Sequence, residues 1–135
     1  MAVRRGARGL DVPVELNHII VRSRDKHASA RFLADVLGLP PPTEVSHFVA
    51  VRVANGVTLD YDDATELVAQ HCAFLVTDEE FDEIFARVRD RDIDYYADPG
   101  HRHPGQINGR AGGRGFYFSD PDGHNMEVFT TPPLP

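Results

Sequence analysis

Apolar positions along this chain recur with two periods, in the same order, twice. Residues 14–21, VELNHIIV, are rich in β-branched side chains and predict a strand. SRDKHASARFLADVLG (23–38) then spaces Phe32/Val36 and Leu33/Leu37 four apart, the period of a helix face. Ser23 or Asp25 is its N-cap and Gly38 its stop. Pro40, Pro41 and Pro42 make a stiff loop, and HFVAVRVANGVTLDYDD (47–63) predicts a hairpin turning at Asn55–Gly56. In the second half QHCAFLV (70–76) predicts a strand. TDEEFDEIFARVRDRD (77–92) predicts a helix, opened by the capping box Thr77-x-x-Glu80 and striped by Phe81, Ile84, Phe85 and Val88. IDYYAD (93–98), a glycine-rich loop and a second hairpin in RGFYFSDPDGHNMEVF (114–129) complete the order.

Register supports a duplication. His18 precedes His71 by 53 residues, and Phe32 precedes Phe85 by the same 53. Gly56 stands four before Asp60, as Gly123 stands four before Glu127. The expected fold is α+β: paired βαβββ modules forming a cupped, partly open barrel-like sheet. Module one covers about 14–63 and module two about 68–130, within a single domain of residues 14–135. Neither copy buries its sheet face alone. Residues 1–13 read as a flexible tail, with three arginines but no apolar run of the kind a secretory signal carries.

Composition narrows the partners. A net charge of −7 argues against nucleic acid or an anionic membrane as a general partner. No apolar run approaches the ~20 residues of a membrane-spanning helix. Cys72 is the only cysteine, which excludes an internal disulfide and fits a reducing, cytoplasmic setting. Alternation places it on the strand face opposite His71, so no chemistry is assigned to it.

The chemistry resides in the matched positions. His18 shares a strand face with Leu16 and Ile20, and His71 with Ala73 and Leu75, so both are expected to point to an apolar inner face. Glu127, among Met126, Val128 and Phe129, is a carboxylate that needs a positive partner if buried. A lone strand histidine is most often a satisfied core residue. Two at matched repeat positions, with Glu127, make a facial set for a divalent metal that leaves open positions. Asp60, the repeat equivalent of Glu127, is one methylene shorter. It is expected near the metal as a base or hydrogen-bond acceptor rather than as a ligand.

LNHIIV, ASARFLADVLGLP, QHCAFLV and FYFSDPDGHNMEVF together resemble the vicinal oxygen chelate superfamily. That superfamily comprises glyoxalase I, type I extradiol dioxygenases, fosfomycin-resistance thiol transferases and bleomycin-binding proteins. The likeness spans about residues 14–130, and its most specific piece is the aromatic-x-x-D-P-x-G-x-x-x-E ending. Within it, the chain is most similar to small single-domain oxygenases of aromatic polyketide pathways, of the ring-opening type in chartreusin biosynthesis. The segments carrying that likeness are DKHASARFLADVLGLP, TLDY, FLVTDEEFDEIFARVRDRDIDYYADP and PGQINGRAGGRGFYFSDPDGHNMEV.

The resemblance implies a metal held by His18, His71 and Glu127, with Fe(II) favoured over Mn, Ni or Zn. It implies dioxygen and a chelated catechol or polyketide-type aromatic as substrates, and oxidative ring opening as the reaction. By the same resemblance Tyr117 hydrogen-bonds a substrate oxygen; a packing aromatic is the competing reading. Two features depart from the extradiol pattern. Asn108 stands where that signature has a histidine, and the acid–base histidine has only loose candidates in His47, His101 and His103. A glyoxalase- or epimerase-like isomerase or a thiol transferase would use the same ligands. A module that sequesters an antibiotic would need none. HRHPGQINGRAGGRGF (101–116) is loop by composition and lacks the P-loop pattern. As a lid over the cup it would offer Arg102, Arg110 and Arg114 to an acidic or phenolic substrate. A homodimer is expected from cupped sheets of this size. His124, inside the last turn, reads as structural.

Overall fold

A computed structural model describes residues 12–133. Most of the expected tail (1–11) therefore lies outside the described residues. The elements run β1 (His18–Ser23), α1 (Lys26–Leu37), β2 (Thr43–Val45), β3 (Phe48–Arg52), β4 (Thr58–Asp63), β5 (His71–Leu75), α2 (Asp78–Asp90), β6 (Gly115–Ser119) and β7 (Asn125–Phe129). They form a four-stranded sheet in the order β1-β4-β3-β2 and a three-stranded sheet in the order β5-β7-β6. The fold is α+β, with two small sheets, two helices and no closed barrel among the described residues. No helix among the described residues is long and apolar enough to cross a membrane.

Local chemistry explains the boundaries. Asp25 caps α1 through a bond from the Ala28 N–H at 3.1 Å, which leaves Ser23 to a different task. The chain leaves α1 at Gly38 in the left-handed region, φ +71°. At α2 the box is reciprocal: Thr77 accepts from the Glu80 N–H at 3.1 Å and Glu80 accepts from the Thr77 N–H at 2.9 Å. The first hairpin turns at Asn55–Gly56 as expected, with Gly56 at φ +83°. IDYYAD is not a full strand. It contributes only isolated bridges, Tyr96 to Tyr117 and Tyr96 to Pro104, so module two keeps only a vestige of the strand that β2 supplies in module one.

The duplication holds in register. β1 lies parallel to β4 with Ile20 opposite Asp60, and β5 lies parallel to β7 with Ala73 opposite Glu127. In both modules the carboxylate thus faces the residue two places after the histidine. Each sheet packs its other face on the helices. Val21, Val49, Val51, Leu59, Leu33 and Val36 are buried in one half, and Phe81, Ile84, Val88, Phe116, Met126 and Val128 in the other. The histidine faces are the open ones, contrary to the expected apolar interior: alternation gives the core to Ile19/Val21 and Cys72/Phe74, and His18 and His71 are exposed. Leu16 and Leu75, on those same faces, are 64% and 44% exposed.

The DPDGH turn between β6 and β7 clasps the halves together. Asp122 accepts from the Arg24 N–H at 2.9 Å and from the Ser29 hydroxyl at 2.7 Å, both in module one. His124 is fully buried; its Nδ1 accepts from the Gln70 N–H and its Nε2 donates to the Arg22 carbonyl. The helices add a bond from Arg87 to the Val36 carbonyl, and Phe32 meets Phe118 at 6.2 Å.

Candidate metal centre

On the open face of the three-stranded sheet, His71 Nε2 and Glu127 Oε1 lie 2.8 Å apart. They stand on adjacent strands, β5 and β7, two residues out of register and on the same face. Tyr117 pairs with Glu127 from the other side and is almost wholly buried. The His71 and Tyr117 rings approach to 5.7 Å between centroids. Arg110, from a short 3-10 turn at Arg110–Gly112, donates through Nη1 to the Tyr117 hydroxyl and lies 5.4 Å from its ring centre. Burial pushes the Tyr117 phenol up, and the facing Glu127 carboxylate adds to that; Arg110 works the other way without prevailing. Tyr117 is therefore a hydrogen-bond donor at neutral pH. With Arg110 occupying an oxygen lone pair, its proton is left for Glu127 or for a ligand.

The four-stranded sheet carries the other candidates. His18 is exposed, with Nδ1 2.8 Å from Asn17 Oδ1. Asp60 is buried and accepts from the Thr58 hydroxyl at 2.9 Å. Both line a hollow of about 480 Å³ with Phe48, Ala50 and Arg52. A separate hollow of about 450 Å³ reaches His71 past Leu16, Leu75 and Phe129. A larger one, about 1,090 Å³, lies under the 64–70 linker and touches none of the nominated ligands. One chain does not gather His18 with His71 and Glu127 into a single cluster.

The remaining nominations separate cleanly. His47 is exposed beside Phe48, 4.0 Å from Asp62 and away from Glu127's sheet. Arg114 does not reach over the cup. It binds α2 at Asp82 (2.8 Å) and Asp78 (3.0 Å) and covers the Phe81 ring, because the strand that it precedes starts beside that helix. Arg102 gives its backbone N–H to Asp98, as does His103, in a local turn. His101 does lie on the open face, bonded to Asn125 Oδ1 at 2.8 Å. Sequence reading passes over Asn125 and Tyr96. Strand pairing is what reveals them: Asn125 faces His71, and Tyr96 faces Tyr117.

Asp120, Asp122 and His124 also bring ligand atoms within 4.8 Å of one another. All but one of these ligand atoms are already used. Both His124 nitrogens bond to backbone, and Asp120 Oδ1 accepts from the Asp122 and His124 N–H groups. Asp120 Oδ2 and the Tyr61 hydroxyl are buried without a protein partner. Burial, with the Asp120 carboxylate next, drives the Tyr61 phenol far up and keeps it neutral. The turn thus serves as the clasp of the two halves, and His71 and Glu127 form a separate pair that could hold a cation. Two ligands bound at right angles at about 2.1 Å stand roughly 3 Å apart, close to the separation of that pair.

Known proteins share this fold. The chain is 55% identical to the solved structure "Oxidase ChaP-H1", with a TM-score of 0.89 over 91% of this chain and 100% of that one. Against "Oxidase ChaP-H2" it is 52% identical, with a TM-score of 0.87 over 90% and 96%. The glutathione transferase FosA of Serratia marcescens is 27% identical over 84% of this chain and 78% of its own length. The family model for the Glyoxalase/Bleomycin resistance protein/Dioxygenase superfamily matches residues 15–128, and the chain belongs to that superfamily.

Proposed function

We propose that this protein is a metal-dependent oxygenase that chelates an oxygenated aromatic substrate and oxidises or opens its ring. The observation that carries the reading is the His71–Glu127 pair at 2.8 Å, backed by the Tyr117–Arg110 bond. The two oxidase-titled structures, at 55% and 52% identity, support the reaction class. His71 and Glu127 hold a divalent ion, Fe(II) by preference, and His18 of a second copy completes the set. A cation held there supplies Lewis acidity, lowering the pKa of a bound phenol. The chain supplies the rest. Glu127 brings the compensating negative charge, and Tyr117 donates a hydrogen bond to a substrate oxygen. Arg110 fixes the direction of that donor.

Asp60 favours an oxygenase over an isomerase. It is the register twin of Glu127, yet its oxygen is turned to Thr58 rather than to the neighbouring histidine. This leaves a three-ligand set with room for both substrate and dioxygen. The same geometry supports a homodimer: the face carrying His18, Leu16 and Ile20 and the face carrying His71 and Leu75 both stand open. Exposed apolar residues around incomplete ligand sets suit two copies meeting face to face.

The test is elemental analysis of the purified protein, then anaerobic Fe(II) loading and oxygen uptake with a fused-ring catechol or hydroquinone. Stoichiometric iron and substrate-dependent uptake are expected in wild type, with at least a ~100-fold loss of metal affinity in Glu127→Ala. Wild type without metal affinity, or His71→Ala binding metal as tightly as wild type, would sink the proposal.

A further inference from the structure

Tyr96 and Tyr117 exchange backbone hydrogen bonds of 2.9 and 2.8 Å, so their side chains rise on the same face of the sheet. Across that face the register row reads Tyr96, Tyr117, Glu127, Ala73. The next row reads Ser119, Asn125, His71. His101 bridges the two rows. Its ring lies on Tyr96 at 4.1 Å between centroids and 6° between planes, and its Nε2 donates to Asn125.

This placement is held against the backbone's own preference. His101 sits at φ +57°, a left-handed conformation that non-glycine residues adopt rarely. Asp98 pins the turn by accepting from the Arg102 and His103 N–H groups, and Asn125 Nδ2 ties it down again at the Pro99 carbonyl, 3.1 Å away. Neither ring belongs to the hydrophobic core, and both residues stay half-buried. A strained turn with three separate fastenings thus holds a parallel ring pair beside the metal ligands, where folding alone does not require one.

We propose that the Tyr96–His101 pair is the flat wall on which a planar, fused-ring aromatic substrate stacks, its oxygens directed along the row to Tyr117 and Glu127. This rests on the metal-dependent reading above and adds the size class of the substrate. Tyr96 is two strand spacings from Glu127, about 10 Å. That exceeds the span of one six-membered ring and matches two or three fused rings. Stacking on aligned rings also rewards extended π-surface.

The wall is tested with two probes, 1,2-dihydroxyanthraquinone and catechol, titrated against metal-loaded and metal-free protein. Tyr96→Ala and His101→Ala are expected to weaken the tricycle about ten-fold and catechol less than about two-fold. Metal stoichiometry and thermal midpoint stay as in wild type, and Tyr96→Phe restores tricycle binding. In turnover the loss falls on KM rather than kcat. Unchanged tricycle affinity in Tyr96→Ala with metal retained overturns the wall and leaves the proposed function standing. Wild type that binds no metal, but binds the tricycle in a Tyr96-dependent way, removes the proposed reaction and supports the wall. Equal weakening of both probes also overturns it, since a wall selects by ring number.

Discussion

Asp122 joins the two halves with a side chain that is only 2% exposed. Burial works to raise its pKa, but the Arg24 N–H and the Ser29 and Ser23 hydroxyls outweigh burial and hold it below the usual carboxylate range. A depressed folded-state value means stabilisation that is complete above the unfolded value, about 3.9, and lost as pH falls through the folded one. Asp122→Ala is therefore expected to cost about 2 kcal/mol at neutral pH by urea denaturation. Below about pH 4 the difference from wild type narrows, so the variant's stability curve has the flatter acid limb. A constant difference down to about pH 2 would show that the carboxylate's charge does not matter. Glu127 could be nominated from sequence because a carboxylate is costly on an apolar strand, His71 because it repeats His18 at 53 residues, and Tyr117 from the family resemblance alone. Arg110 and Arg114, alike in the loop, could not be told apart, since only tertiary packing turns one to Tyr117 and the other to α2.

Among the elements, the helices were the most legible because each carries its own punctuation. The capping box at Thr77–Glu80 and the stop at Gly38 both act within a few residues of sequence. Thr77→Ala is expected to lower stability by about 1 kcal/mol, read from the urea midpoint. At Gly38 an added Cβ would meet the Arg87 guanidinium at 2.7 Å and keep the strained φ of +71°. The guanidinium can swing aside but the backbone cannot, so Gly38→Ala is expected to cost about 1–2 kcal/mol by denaturant midpoint. Loss of the Arg87–Val36 bond goes with the same shift. IDYYAD has the residues of a strand and forms only isolated bridges at Tyr96, because local preference cannot say whether a ladder has a partner.

For the whole molecule, the duplicated order and register were legible, since side-chain period and turn glycines fix both. The placement of the two sheets was not. It depends on the long-range clasp at Asp122 and His124, and it leaves His18 on a different sheet from His71 and Glu127. A site shared between copies makes a sharp prediction. His18→Ala and His71→Ala proteins are each inactive alone, but a mixed dimer contains one intact site and one doubly damaged site. After subunit exchange, the equimolar mixture should recover roughly a quarter of wild-type oxygen uptake. Recovery of none, with dimers confirmed by light scattering, would refute the shared site.

Every strand partner in the first sheet lies between His18 and Asp63. During synthesis that sheet can therefore close before His71 has been made, without borrowing a strand from the second half. The parallel closure of β1 on β4 waits only for the hairpin. The late event is the arrival of the DPDGH turn, whose Asp122 and His124 reach back to Arg24, Ser29 and Arg22. A chain arrested with its first half clear of the ribosome can thus pair that sheet while its face stays uncovered, and one arrested before Asp120 should carry two halves not yet locked together.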